Sequence, residues 1–223
     1  MTSDGTLRIT CQVVFFPAQK IQLGPKITGK TTNDEVLIQS GRLELCEDLG
    51  KALKSSDLSD VKIKCQDKTF NCHELILSLR SDVFRAMFTS NMTEKTSKEI
   101  IIDDFSTDAV SKMLTFIYTG DCDVNEGPGL AEELLRLADK YNLRTLKNIC
   151  LDTLQFILDI DNCVKFLIIG DMCQAKSLKE MAVQMVIENK AKIISTHEWK
   201  EFTKNHLELA LEVATLGWNQ IKA

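Results

Sequence analysis

The alternation of apolar and polar residues changes period abruptly within residues 60–90. Residues 61–65, VKIKC, alternate apolar and polar positions, which is the pattern of a half-buried strand. A short polar turn leads to residues 69–72, which return as a second strand. Beyond them the apolar positions follow helical spacing as far as Phe88, and Ser81 is placed to cap the second of two short helices. We therefore predict a hairpin that leads into two short, apolar helices.

A third strand and three longer helices are predicted after this hairpin. Residues 99–103 form a short apolar run, and residues 106–119 carry their apolar side chains on one helical face. Gly120 is placed to end that helix. Two further helices are predicted over residues 130–139 and 142–157.

The last third of the chain differs from the part before it. Residues 159–223 contain almost no strand pattern, and their apolar positions follow helical spacing. Together with the preceding elements they predict an α+β fold, in which a small sheet flanked by short helices is followed by an all-helical tail.

An amphipathic helix is predicted ahead of the hairpin, over residues 43–54. Its apolar face contains Leu45, Leu49 and Leu53, and its acidic residues precede its lysines, an order that suits the helix dipole. Residues 17–42 contain proline and glycine among polar residues and are predicted to be a linker. Apolar residues alternate along residues 5–16, which predicts one strand. Because a lone strand is not stable, this strand needs a sheet formed elsewhere.

Composition narrows the classes of function. The 223 residues are 44% hydrophobic and 26% charged, as in an ordinary globular protein. The net charge of −5 argues against nonspecific nucleic-acid binding, which needs a basic surface. No apolar run reaches membrane-spanning length, and the first residues lack the features of a signal peptide. We expect an intracellular protein with neither nucleic acid nor membrane as a partner.

Neither a metal site nor a catalytic site is predicted. The eight cysteines form no zinc-type spacing, and the nearest approach to a ligand set, Cys65 with Cys72 and His73, lacks a fourth ligand. His73 lies in the densest apolar stretch, where a structural histidine is expected rather than a general base. Cys72 and His73 are adjacent in a strand, so their side chains point to opposite faces. We expect reduced thiols, no cofactor and no enzymatic activity.

A family resemblance covers most of the chain. The stretch LSDVKIKCQDKTFNCHELILSLRSDVFRAMF resembles the opening of a BTB/POZ domain, and the pattern resumes at IIID, FIYTG and LLRLADKY in the same order. The helical tail resembles the 3-box and BACK region of the speckle-type POZ, or MATH–BTB, proteins, and the first strand resembles the last strand of a MATH domain. The resemblance implies a MATH remnant (1–16), a linker (17–42), a BTB/POZ domain (43–157) and a 3-box/BACK-like region (158–223).

The resemblance also implies a function. Proteins of this type are dimeric adaptors that recruit a cullin-3 RING ubiquitin ligase and hold a substrate for ubiquitination and proteasomal degradation, in the nucleus or the cytoplasm. The hydrophobic-x-Glu motif of cullin-binding BTB domains corresponds to Met92-Thr93-Glu94 here. The helix that forms the dimer corresponds to residues 43–54, with Leu45, Leu49 and Leu53 at the interface. The implied partners are a second copy, the N-terminal domain of cullin-3 and an unknown protein substrate.

Two alternatives remain open at this point. One is a pure self-association module, a truncated paralogue that modulates full-length adaptors. The other is a BTB transcription regulator without ligase recruitment. BTB repressors carry a charged pocket with Lys or Arg just after the histidine, whereas this chain has Asp60 and Glu74, two carboxylates. A tyrosine that supports further self-association in the family corresponds to Val213.

Overall fold

The structure, a computed structural model, describes residues 33–89, 96–124 and 127–221. Its elements are α1 (Asn33–Ser55), β1 (Val61–Cys65), β2 (Lys68–Cys72), α2 (Glu74–Arg80), α3 (Asp82–Thr89), β3 (Glu99–Ile101), α4 (Thr107–Thr119), α5 (Pro128–Lys140), α6 (Arg144–Phe156), α7 (Cys163–Met172), α8 (Lys176–Glu188), α9 (Lys190–Ile193), α10 (His197–Asn205) and α11 (Leu207–Ile221).

The described strands form one small sheet in the order β2-β1-β3. The hairpin β1–β2 is antiparallel, with Val61 opposite Cys72, whereas β3 pairs parallel to β1, with Ile100 opposite Ile63. A parallel pair needs a crossover, and helices α2 and α3 supply it. Alternate residues of β1 are buried and exposed, so one face of the sheet packs on the core, as the sequence pattern predicts.

Helix α4 forms the centre of the first domain. Seven of its thirteen residues are buried, and its ends are fixed by local chemistry. The Ser106 hydroxyl accepts a hydrogen bond from the Ala109 N–H at 3.2 Å and so caps the first turn. Gly120 ends the helix at φ 75°, a left-handed conformation that glycine adopts without steric cost.

The tail packs by close contact between neighbouring helices. Helices α7 and α8 approach so closely that a Cβ on Gly170 would lie 2.9 Å from the backbone nitrogen of Lys179. Lys179 also donates to Asp171 at 2.8 Å and to Glu212 at 2.7 Å, which joins α8 to both α7 and α11. The α+β fold with a helical tail is thus confirmed.

Helix α1 corrects one sequence prediction. It begins at Asn33, so residues 33–42 are helical, whereas the sequence pattern predicted little regular structure there and a helix start at residue 43. Gly41 suggested a break, but one glycine inside a helix costs only about 1 kcal/mol relative to alanine. The remaining linker residues and the predicted MATH remnant, residues 1–16, lie outside the described part of the chain.

Candidate protein-interaction surfaces

Helix α1 carries one apolar stripe whose two halves have different surroundings. Ile38, Leu45 and Leu49 are separated by seven and four residues, so they lie on one face of the helix. Leu49 is half-buried and packs against the core of its own domain. Ile38 and Leu45 remain 56% and 60% exposed. The stripe therefore continues past the part that the chain itself covers.

The three predicted interface residues do not share one environment. Leu45 points into solvent, as an interface residue of the free chain should, whereas Leu49 and Leu53 are half-buried against their own domain. The sequence reasoning placed Leu37 and Ile38, which are both exposed, in a possible short strand or docking segment and not in the same helix as Leu45. Their positions eight and seven residues before Leu45 are the signal that could have joined them to it.

A second exposed apolar pair lies on α2. Leu75 and Leu79, one turn apart, are 68% and 69% exposed, although Leu77 between them is fully buried. Helices α1 and α2 both pack against α4. Two neighbours of one central helix thus both leave apolar side chains uncovered, which is typical of a surface that meets another protein.

Met92 and Glu94 lie outside the described residues, but the structure describes both flanks of their segment. Phe88 is buried near the end of α3. The Lys98 ammonium, just before β3, lies 5.9 Å from the centre of the Phe88 ring and forms an ion pair with Glu74. The two ends of the segment that contains Met92 and Glu94 are therefore held at one place on the domain.

His73 has a structural role in the geometry. Its Nε2 lies 2.7 Å from the Asp57 carbonyl oxygen, and its Nδ1 lies 2.8 Å from the Tyr118 hydroxyl. Because Nε2 must donate to a carbonyl, the network assigns Nδ1 as the acceptor in the neutral ring. Both ring nitrogens are then used. Burial raises the pKa of the neighbouring Cys72 to about 12, so its thiol stays protonated at neutral pH.

Asp60 and Glu74, the carboxylates at the position of the repressor pocket, serve the fold. An Asp60 side-chain oxygen accepts a hydrogen bond from the Glu74 backbone N–H at 2.7 Å and so binds the start of α2. The Glu74 carboxylate pairs with Lys98. Both acidic groups have internal partners, which leaves no free acid–base pair for a ligand there.

A comparison with known families decides what this domain is. The sequence profile of the BTB/POZ domain family matches residues 49–158. The chain carries a BTB/POZ domain.

Relatives with the same domain match almost the whole chain. BTB and MATH domain-containing protein 42 of Caenorhabditis elegans is 30% identical over 221 residues, which is 96% of this chain and 52% of that protein. TD and POZ domain-containing protein 1 of Mus musculus is 32% identical over 209 residues, which is 94% of this chain and 55% of that protein. This chain therefore spans about half the length of the relatives it matches. The solved BTB domain of zebrafish PATZ1 covers 52% of this chain and 92% of its own, at 21% identity and a TM-score of 0.45.

The BTB/POZ domain and the tail are joined by charged contacts. Glu132 on α5 is only 7% exposed, and its carboxylate lies 2.6 Å from the ammonium of Lys165 on α7. Lys147 on α6 donates to Asp139 and to the Cys173 carbonyl oxygen, both at 2.6 Å. A buried carboxylate is costly without its partner, so these contacts favour one fixed arrangement of α5, α6 and α7.

The potential metal ligands of the described residues are dispersed. Within residues 33–89, 96–124 and 127–221, no three potential ligands come close enough to hold a metal ion, and every cysteine is a free thiol. Burial raises the pKa of Cys150 to about 12 and that of Cys122 to about 11. None of the helices in these ranges is both long enough and apolar enough to span a membrane.

Proposed function

We propose that this chain is an adaptor that self-associates through α1 and recruits a cullin-3 ubiquitin ligase, without chemistry of its own. The observation that carries the proposal is the apolar stripe of α1, which extends from a BTB/POZ domain with Ile38 and Leu45 uncovered. Such domains commonly self-associate, and a second copy supplies the missing half of the contact.

The arrangement of the dimer follows from symmetry. A twofold contact places the same surface of each copy against the other, so Ile38 and Leu45 of both copies meet in one apolar seam. Covering an exposed leucine or isoleucine contributes roughly 1.5–3 kcal/mol. Two such residues from each copy, with Leu37 beside them, form the apolar centre of the contact, and the rest of the interface supplies the remaining free energy that micromolar association needs.

The proposed cullin-3 surface consists of Met92 and Glu94, completed by helices α7 and α8. A methionine is a flexible apolar anchor for a pocket, and a charged residue at the rim fixes its orientation. The contact between Lys98 and Phe88 supports this proposal, because it fixes where the segment leaves the domain and returns to it. The Glu132–Lys165 pair holds α7 against the same domain.

The role proposed for the dimer is proximity. One surface holds the ligase, and a substrate bound elsewhere in the protein is kept near ubiquitin-loaded machinery at high effective concentration. Two ligase sites in one dimer add avidity. The chain needs no catalytic group for this role, in accord with the structural use of His73 and Cys72.

The experiment is a calorimetric titration of the cullin-3 N-terminal domain into the wild-type chain and into Met92→Ala with Glu94→Ala. We expect submicromolar binding by the wild type and at least ~30-fold weaker binding by the double variant, which is ~2 kcal/mol for one central anchor. Its melting temperature and its mass should not change. A matched control is Leu207→Ala with Glu208→Ala on α11, which removes one exposed apolar and one exposed acidic side chain outside the proposed cullin-3 surface.

The second candidate function is a self-association module without ligase recruitment. It is favoured by the uncovered stripe of α1, because self-association alone is enough to account for the exposed Ile38 and Leu45. If the wild type shows no heat of binding at tens of micromolar cullin-3 but remains a dimer, the ligase role fails and this candidate replaces it. The transcription-regulator alternative has less support, because Asp60 and Glu74 both have internal partners.

A further inference from the structure

A groove runs along the outer edge of β2, between that strand, α1 and α4. Its volume is about 680 Å³. Lys68 and Phe70 lie on one face of the sheet and Thr69 and Asn71 on the other, yet all four line the groove. A cavity that contacts residues of both faces must run along the strand edge. The floor is apolar where Leu53 and Leu114 meet it.

The direction of the backbone hydrogen bonds identifies which groups this edge presents. The Lys62 N–H donates to the Lys98 carbonyl oxygen at 2.9 Å, and the Ile102 N–H donates to the Lys64 carbonyl oxygen at 2.8 Å. Even-numbered residues of β1 therefore face β3, and odd-numbered residues face β2.

The register of the hairpin extends this to β2. Val61, Ile63 and Cys65 of β1 lie opposite Cys72, Phe70 and Lys68 of β2, so the backbone groups of those β2 residues are used in the hairpin. The backbone groups of Thr69 and Asn71 then point the other way, into the groove. Among the described residues, no backbone group hydrogen-bonds to them. The edge offers two N–H and two C=O groups at the spacing of a strand.

The rim of the groove is basic. Lys51, Lys54 and Lys68 line it with one acidic residue, Glu47. Lys51 forms an ion pair with Asp48, while Lys68 lies 4.7 Å from the centre of the Phe70 ring. A strand that carries carboxylates on alternate residues would meet complementary charge on the rim and apolar surface on the floor.

We propose that this groove binds an extended acidic peptide of a partner protein, which adds as a fourth strand to the free edge of β2. The N-terminal segment of this chain is not the occupant we propose, because residues 5–32 contain one arginine, three lysines and no acidic residue. The groove uses a face of α1 that differs from the self-association face, since Ile38 and Leu45 do not line it. The site is independent of the proposed cullin-3 surface.

The test uses fluorescence polarisation with a fluorescein-labelled peptide, Asp-Val-Glu-Ile-Asp-Val-Glu-Val. A second peptide has lysine at every acidic position, and a third has the acidic sequence with alternate backbone nitrogens methylated. We expect binding of the acidic peptide at tens of micromolar, and binding of the other two that is at least tenfold weaker. Equal binding of the acidic and basic peptides, or of the methylated peptide, would overturn the proposal.

Variants of the protein separate charge from backbone pairing. Lys54→Glu with Lys68→Glu should weaken binding at least tenfold, whereas Lys176→Glu with Lys204→Glu in the tail, with the same change in net charge, should leave it within twofold. Thr69→Pro removes an outward N–H without removing a hairpin hydrogen bond, so it should abolish binding, while Thr69→Val should not. The methylated peptide keeps the test decisive if Thr69→Pro fails to fold.

Two further results would overturn the proposal. If the acidic peptide does not bind but Thr69→Pro or the Lys54→Glu, Lys68→Glu pair lowers the mass in light scattering, the occupant of the groove is a second copy. If Thr69→Pro binds the peptide as the wild type does, the strand edge is not used. Unchanged cullin-3 affinity in these variants supports a separate site. If the variants lose cullin-3 binding together with peptide binding, the groove and the proposed cullin-3 surface are one site.

Discussion

The two halves of α1 have the same apolar stripe and different partners. In the C-terminal half, Leu49 and Leu53 pack against the core of their own domain. In the N-terminal half, Ile38 and Leu45 are more than half exposed. The residues are chemically alike, so composition does not separate them. The difference is what lies next to each half, because a Cβ on Gly50 would meet Thr119 of α4, whereas a Cβ on Gly41 would have no atom within 4 Å.

The two halves of α1 should therefore affect different equilibria, the C-terminal half unfolding and the N-terminal half association. A substitution in the covered half changes the free energy of unfolding of each chain. A substitution in the uncovered half changes the free energy of association and leaves the folded chain nearly as stable as before. The predictions below test this separation, from the largest expected effect to the smallest.

The largest effect is expected for Leu49→Asp with Leu53→Asp. Both changes place a carboxylate in half-buried apolar surroundings, which we expect to lower the free energy of unfolding by about 3 kcal/mol. In a chain of this length that corresponds to a fall in Tm of roughly 6–12 °C. Thermal melting followed by circular dichroism measures it. An unchanged Tm would mean that the C-terminal half of α1 does not pack in cis.

In the uncovered half, the expected effect is on self-association and not on the stability of the folded chain. Ile38→Asp with Leu45→Asp should raise the Kd of self-association at least ~100-fold, because four carboxylates would meet in one apolar seam. The chain should be monomeric at micromolar concentration by light scattering, with a Tm that no longer depends on concentration. A variant that is still dimeric contradicts the proposed interface. The exposed pair Leu75 and Leu79 on α2 would then be the next candidate interface.

The sequence predicted the covered part of the fold better than the uncovered part. Strict alternation in β1 and helical spacing after it identified the hairpin and the helices, because each pattern reflects burial on one face. The N-terminal half of α1 gave a mixed pattern, since Gly41 and nearby polar residues resemble a linker in isolation. In the structure the helix begins at Asn33, and its apolar stripe continues from Leu45 back to Ile38.

The contacts between distant residues could not be predicted in this way. Nothing in the local pattern indicates that Asp60 binds the first turn of α2 or that Lys165 pairs with Glu132 on another helix. The free edge of β2 is a further case, because the strand and the helix that bound the groove are predicted separately. Their separation in space depends on how α1 packs against α4, which no local pattern indicates.

A smaller effect is expected from glycine in the covered half. A Cβ on Gly50 would lie 3.1 Å from the Thr119 methyl carbon. The Thr119 hydroxyl donates to the Thr115 carbonyl and accepts from the Asp121 N–H, so its side chain cannot easily rotate away. We expect Gly50→Ala to lower stability by about 1 kcal/mol after its gain in helix propensity. The same change made with Thr119→Ser, which removes that methyl, should be stabilising. A double-mutant cycle by urea unfolding measures the sign change.

The smallest effect is expected for Gly41→Ala, the matched change in the uncovered half. A Cβ on Gly41 has no atom within 4 Å, so the substitution adds helix propensity without crowding. The gain is about 1 kcal/mol and applies to the local order of the N-terminal half, not to the packed core. We expect slower amide exchange in residues 37–45 and an unchanged urea midpoint for the monomeric Ile38→Asp, Leu45→Asp background. In the wild-type background the ordered helix should associate up to ~5-fold more tightly, because less entropy is lost when the two copies meet. A Gly41→Ala chain that associates more weakly would instead place Gly41 in the seam, where the helices approach too closely for a methyl group.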